Sequence, residues 1–204
     1  MDKKYPIILA ISAASGVIYG VKTLEFLLKN DYSLELIISK KAYYIFKQEL
    51  GLELGHDKED IKEKLLKYVD LNSKSDYLKV CLNEELWANP ASGSYKTSGM
   101  IIAPASMATV AAIASGLAEN LISRSADVCI KEKRFLTIVP RETPLNSIHL
   151  ENMLKLSKLG VNIVPPIIGL YGKITTLEQS IDFITGKILD ASKIENNLYE
   201  RWQI

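Results

Sequence analysis

Two cysteines and two histidines among 204 residues leave little from which to build a metal centre. Cys81 and Cys129 form no CxxC and no paired histidine spacing accompanies them. The pattern argues against a zinc site, any other metal site and a disulfide scaffold, and it reads as two reduced, buried thiols of a cytoplasmic protein. Long hydrophobic runs are also missing. None approaches the roughly 20 apolar residues that span a bilayer. No charge of one sign prevails, since 25 Lys and Arg face 24 Asp and Glu for a net +1. That balance removes bulk electrostatic attraction to nucleic acid or to an anionic membrane. A GxGxxG fingerprint is absent, so any phosphate-binding turn has another form. Residues 13–16 (Ala-Ala-Ser-Gly) mimic a small-residue cleavage site, but the short apolar stretch before them reads as a first strand, not a leader peptide.

What is present is the composition of an ordinary globule, with 48% hydrophobic and 24% charged residues. The length predicts one domain over residues 1–204. Strand-like and helix-like segments alternate. Apolar runs at 5–13, 34–38, 77–82, 99–103, 135–139 and 161–164 read as strands, the last stopped by Pro165 and Pro166. Helical spacing marks 17–28, 42–50, 57–69, 106–115, 147–159 and 176–189. Repeated β-α units predict a doubly wound, mostly parallel α/β sheet with helices on both faces. No internal repeat or linker interrupts it. Residues 83–97 form the longest irregular stretch and carry Trp87, either as a functional loop or as a surface loop with one anchoring tryptophan.

The chemistry gathers at strand ends. The fifth predicted strand runs into Pro140-Arg141-Glu142, and the chain then turns at Pro144 into a helix. In open α/β sheets, ligands sit at the carboxyl ends of strands. Arg141 suits an anion such as phosphate, and Glu142 suits proton transfer. The first strand ends in Ser12-Ala13-Ala14-Ser15-Gly16, whose small side chains either let backbone amides approach an anion or serve tight packing. Ser39 ends the second strand, as a cap of the next helix or as a partner for a sugar hydroxyl. Ser106 opens a helix through Met107, Ala108 and Thr109 and offers its amino end to an anion. Between the fourth and fifth strands, Arg124 and Lys131 stand seven apart, on one face if the segment is helical. Asp127 and Glu132 are available to pair with them.

Taken together, ISAASG (11–16), ISK (38–40), WANPASGS (87–94), PASMATVAAIASGLAENLISRSADVCIKEKR (104–134) and VPRETPLNSIHLENMLKL (139–156) resemble the flavin prenyltransferase family of the UbiX type over nearly the whole chain. The resemblance implies a flavodoxin-like, Rossmann-type fold and a homododecamer. It implies a metal-independent transferase that joins the prenyl group of dimethylallyl monophosphate to N5 and C6 of reduced FMN. The product, prenylated FMN, would serve a UbiD-type decarboxylase. It further implies FMN contacts at Ala13, Ala14, Ser15, Ser39, Ser106, Met107, Ala108, Thr109 and Arg141. Glu142, Glu49, Lys131 and Ser15 are implied in catalysis. Tyr171, Lys187, Lys131, Arg124 and Trp87 are implied around the prenyl phosphate. Ala13 stands where the family usually has Gly, Lys187 where it usually has Arg, and Gly172 where many relatives carry His.

Two alternatives bear on the same residues. One is a flavin-binding accessory subunit of a decarboxylase without transferase activity. The other is a relative of the flavin-dependent cysteine decarboxylases, which share a turn similar to PASMAT. Those enzymes need an active-site histidine, and here His149 falls inside a predicted helix and His56 in a polar loop.

Overall fold

The computed structural model describes residues 3–169 and 174–202. Six parallel strands form one sheet in the order β3-β2-β1-β4-β5-β6. They are β1 (Ile7–Ile11), β2 (Leu34–Ile38), β3 (Leu78–Leu82), β4 (Gly99–Ala105), β5 (Phe135–Pro140) and β6 (Asn162–Ile163). The helices are α1 (Val17–Lys29), α2 (Lys40–Leu50), α3 (Lys58–Tyr68), α4 (Met107–Ser115), α5 (Leu121–Lys131), α6 (Ser147–Lys158) and α7 (Leu177–Ala191). Every pairing is parallel, so the expectation of a mostly parallel, doubly wound sheet is met.

Strand side chains alternate between two cores, as the period of two demands. Ile7, Leu9, Ile11, Leu34, Leu36, Ile101 and Val139 pack with α1, α2, α3 and α7. Ile8, Ala10, Ile37, Met100, Ile102 and Ile138 pack with α4, α5 and α6. The central strands are buried on both faces, which explains their continuous apolar runs in place of alternation. Gly20 lets α1 press onto β4, because a Cβ there would stand 2.3 Å from the Ala103 carbonyl oxygen.

The chain moves outward from β1 through β2 to β3, then returns to the other side of β1 as β4. That reversal opens a crevice at the carboxyl ends of β1 and β4, the switch point at which doubly wound sheets bind ligands. Backbone hydrogen bonds lace the neighbouring turns together. Ser39 N–H donates to Ile11 O at 3.0 Å, Ser12 N–H to Pro104 O at 3.1 Å, and Arg141 N–H to Ala105 O at 3.1 Å. The four strand ends singled out from sequence thus meet on one rim.

The face of the sheet over β2 and β3 is covered differently. Residues 83–97 lie over it, with Ala88 and Ala91 packed into the second core. Glu35, on β2, is 2% exposed. Its carboxylate accepts hydrogen bonds from Tyr95 Oη at 2.7 Å and Cys81 Sγ at 3.1 Å, with Lys79 Nζ 3.4 Å away. Burial and the neighbouring carboxylate push both Cys81 and Tyr95 up to about 12, so each remains a donor. Arg134 ties the same loop by donating to the carbonyls of Gly93 and Tyr95. Residues 83–97 are therefore an anchored cover, and Trp87 stands out from it 80% exposed.

Candidate active site

Two cavities flank the β1 turn. The first, about 450 Å³, is lined by Ser15, Gly16, Tyr19, Arg141, Glu142, Met153 and Pro165, among others. The second, about 430 Å³, is lined by Ala13, Ser39, Lys40, Ser106, Ala108, Thr109 and Asn120, among others. Ala13 and Ser15 belong to one short turn, so the turn forms the ridge between them.

The two amino ends at the crevice differ. At α1, the Glu49 carboxylate accepts from Gly16 N–H at 2.9 Å and from Val17 N–H at 3.2 Å. These are the orphan amides that an anion would otherwise use. The amides of Gly16 and Val17 are therefore already engaged by the protein's own carboxylate, which leaves them to no other anion in this structure. Gly16 at φ 94° permits the turn. Ala13 is not among the residues of positive φ, so alanine sits there without backbone strain.

At α4, Ser106 caps the helix, its Oγ accepting from Thr109 N–H at 3.2 Å. The amides of Met107 and Ala108 have no acceptor within the helix. Ser106 is held in turn by Ser12, whose Oγ accepts from Ser106 N–H at 2.7 Å. Beside this end, the Ser39 hydroxyl is buried without a hydrogen-bond partner. Ser39 does precede α2, yet its side chain makes no capping bond. A buried hydroxyl left unpaired is costly and rare. Its position, next to a free helix amino end in a polar cavity, fits a ligand with hydroxyl and phosphate groups.

Arg141 follows β5 into the first cavity, exposed, with no side-chain hydrogen bond among the described residues. Glu142 beside it accepts from Thr143 N–H at 3.0 Å, which aims the carboxylate back at the turn. Asn146 then caps α6 by accepting from His149 N–H. His149 reciprocates from inside the helix, in a structural role.

Several residues implied by the resemblance are not brought into these cavities within one chain. Helix α5 starts at the crevice, where Asn120 and Ser123 line the second cavity. It runs antiparallel to the strands and carries Lys131 to its far end, where Lys131 pairs with Glu132 at 2.9 Å. Eleven residues of helix span roughly 16 Å, so Lys131 is far from Arg141. Arg124 donates to Ala91 O at 3.1 Å and pairs with Asp127 at 3.2 Å. Both expected partnerships with Asp127 and Glu132 are thus formed. Lys187 lines an adjoining groove with Phe183, Ile184 and Asp190, which shares Pro165 and Ile167 with the first cavity, and its ammonium is 5.8 Å from the Tyr199 ring centre. Trp87 points to solvent, and Tyr171 lies outside the described residues. Sequence reasoning missed Tyr19, Lys40 and Asn120 as cavity residues. Lys40 directly follows Ser39, whereas nothing in the sequence signals Tyr19, which reads as one more position of an amphipathic helix. Among the described residues, no group of three His, Cys, Asp or Glu is arranged to hold a metal, and no helix is long and apolar enough to cross a membrane.

Comparison with known proteins supplies the remaining step. A family model described as Flavoprotein matches residues 1–189. A flavin prenyltransferase UbiX of Halalkalibacterium halodurans is 44% identical over 195 residues, covering 94% of this chain and 90% of the relative. Flavin prenyltransferase LpdB of Lactiplantibacillus plantarum is 43% identical, covering 97% of each. Among solved structures, AnUbiX in complex with FMN and dimethylallyl pyrophosphate superposes with a TM-score of 0.84 at 36% identity, covering 98% of this chain and 97% of the other. A dodecameric FMN-dependent UbiX-like decarboxylase from Escherichia coli O157:H7 gives 0.83 at 34% identity, covering 97% and 99%. The FMN-dependent cysteine decarboxylase TvaF gives 0.58 at 13% identity and shares the fold alone. Matched along nearly its whole length, with a polar crevice at the switch point, the chain belongs to the flavoprotein family, among the flavin prenyltransferases.

Proposed function

We propose that residues 1–204 act as one flavoprotein domain that transfers the dimethylallyl group of dimethylallyl monophosphate to reduced FMN. The observation that carries this reading is the buried, unpartnered Ser39 hydroxyl beside the open amino end of α4, on the rim that also bears Arg141 and Glu142. In it, Ser39, Ser106, Met107, Ala108 and Thr109 hold the ribityl phosphate, and Ala13, Ala14 and Ser15 support the flavin ring. Phosphate takes the α4 end because Glu49 closes the α1 end.

Bound reduced FMN supplies the nucleophilic N5 and C6 atoms, and the donor supplies the five-carbon group and loses phosphate. The chain's own groups do the rest. Arg141, expected as an FMN contact, also offsets the negative charge that grows on the departing phosphate, an interaction strengthened wherever water is excluded. Glu142 and Glu49 exchange protons with the leaving group and the flavin edge, and Ser15 orients them. Trp87, if a neighbouring copy carries it to the crevice, shelters allylic cation character, worth roughly 0.5–2 kcal/mol by cation–π attraction.

Lys131, Arg124, Lys187 and Trp87 enter through assembly, and Tyr171 is the further group expected at the prenyl phosphate. In this reading the chain forms a homododecamer, and neighbouring copies bring the first four groups to the crevice. Its support is the large apolar side chains left exposed on α6 and beside the site: Ile148, Leu150, Leu154 and Ile167 are 53–74% exposed. The product, prenylated FMN, passes to a UbiD-type decarboxylase in the cytoplasm.

Mass spectrometry of the flavin tests the proposal. Protein incubated with reduced FMN and dimethylallyl monophosphate should return a flavin heavier by one prenyl unit, and a parallel reaction with the pyrophosphate compares the two donors. FMN recovered unchanged from both would leave a binding-only accessory subunit. Glu142→Gln should retain FMN and lose most of the transfer.

A further inference from the structure

Tyr19 belongs to none of the motifs behind the proposed function, yet it walls the first cavity together with Ser15, Gly16, Arg141 and Glu142. Its place is set by the turn below it. Tyr19 N–H donates to Gly16 O at 3.0 Å. The ring lies against the bare α-carbon of Gly16, where a Cβ would stand 2.9 Å from Cε2. Glycine at 16 therefore serves two ends, the left-handed turn and the seat of this ring.

The phenol is half-buried and stands within the fields of Arg141 and Glu49. Its hydroxyl has no hydrogen-bond partner among the described residues. A phenol hydroxyl without a protein acceptor, on the wall of a cavity that also holds an unpaired arginine, is available to a ligand oxygen. Burial raises the phenol pKa and Glu49 adds to that, while Arg141 opposes it. The hydroxyl therefore keeps its proton at neutral pH and is able to donate.

We infer that Tyr19 is a substrate-positioning residue of the transferase, donating a hydrogen bond to the donor's phosphate beside Arg141. The inference rests on the flavin prenyltransferase reading. It assigns the first cavity to the allylic phosphate and the second to the ribityl phosphate. Hydrogen bonds to charged groups are the stronger kind, so the loss of this one is readable in donor binding alone.

The test is Tyr19→Phe in the full-length, FMN-loaded protein, since Phe keeps the ring against Gly16. The donor KM is expected to rise about 10-fold. Inhibition by inorganic phosphate should weaken in parallel, and the FMN Kd should stay within about twofold of wild type. Wild-type values for both donor KM and phosphate inhibition would overturn the inference. An equal loss of FMN affinity would overturn it too, by assigning the hydroxyl to the flavin. If wild-type protein itself makes no heavier flavin, the underlying reading fails instead.

Discussion

Replacing Ser39 by Ala should stabilise the unliganded protein and weaken its grip on FMN. The Ser39 hydroxyl is buried and has no partner in the protein. An unsatisfied buried hydroxyl costs about 1–3 kcal/mol, so removing it should add about 1 kcal/mol to the apo protein. For a domain of this size that raises Tm by about 2–4 °C. The same hydroxyl, if it meets a flavin oxygen, contributes about 1.4 kcal/mol to binding, and its loss raises the FMN Kd about 10-fold. The two effects oppose each other in a thermal titration. At an FMN concentration 100 times the wild-type Kd, ligand stabilises the wild type by about 2.7 kcal/mol and the variant by about 1.4 kcal/mol. The variant's advantage should therefore vanish as FMN is added. Differential scanning fluorimetry across an FMN series, with calorimetric Kd values, measures both. An apo protein destabilised by about 1 kcal/mol with FMN affinity unchanged would refute the reasoning, since the hydroxyl would then be a structural group.

Glu35→Ala should cost about 3 kcal/mol, because Tyr95 and Cys81 lose their common acceptor in a buried site. A fall of about 1 M in the urea midpoint checks it. Cys81, Cys129 and Tyr95 hold their protons to about 12 when folded, against ordinary values of 9 for thiols and 10 for the phenol. Between these limits the unfolded chain binds fewer protons, so stability should fall as pH rises from about 9 toward 12. Urea titrations should show that slope, and Cys81→Ala should flatten it. Glu49→Ala should free the amides of Gly16 and Val17 and cost about 1 kcal/mol as a lost cap. Added phosphate should raise the Tm of this variant more than that of the wild type. Lys187→Arg should lower the donor KM if a neighbouring copy presents this side chain to the site, because a guanidinium forks onto phosphate. An unchanged KM would remove Lys187 from the donor site.

The order of elements was legible because each carries its own local signal. Continuous apolar runs could only be strands buried on both faces, and caps such as Ser106, Asn146 and Thr176 mark where helices begin. Boundaries shifted where tertiary contacts intervened. β4 extends to Ala105, beyond the predicted 103, because Ser12 and Arg141 hydrogen-bond to its last residues. α5 was legible only as a conditional helix, because the face that carries Leu121, Ile122, Ala126, Val128 and Cys129 also buries two serines, Ser123 and Ser125.

The site divides in the same way. Residue types at strand ends pointed to phosphate and proton chemistry at Ser39, Ser106, Arg141 and Glu142, since the parallel α/β topology brings all strand ends to one edge. Which helix end stays open for an anion was decided by Glu49, 33 residues from the amide it engages. The same holds for Lys131: identity and spacing gave it a charge and a helical face, but the direction of α5 carries it to the opposite end of the sheet. Sequence determines local geometry through near neighbours and periodic burial. Long-range contacts, set only when the sheet closes, decide which polar groups are already satisfied and which, like the hydroxyls of Ser39 and Tyr19, are not.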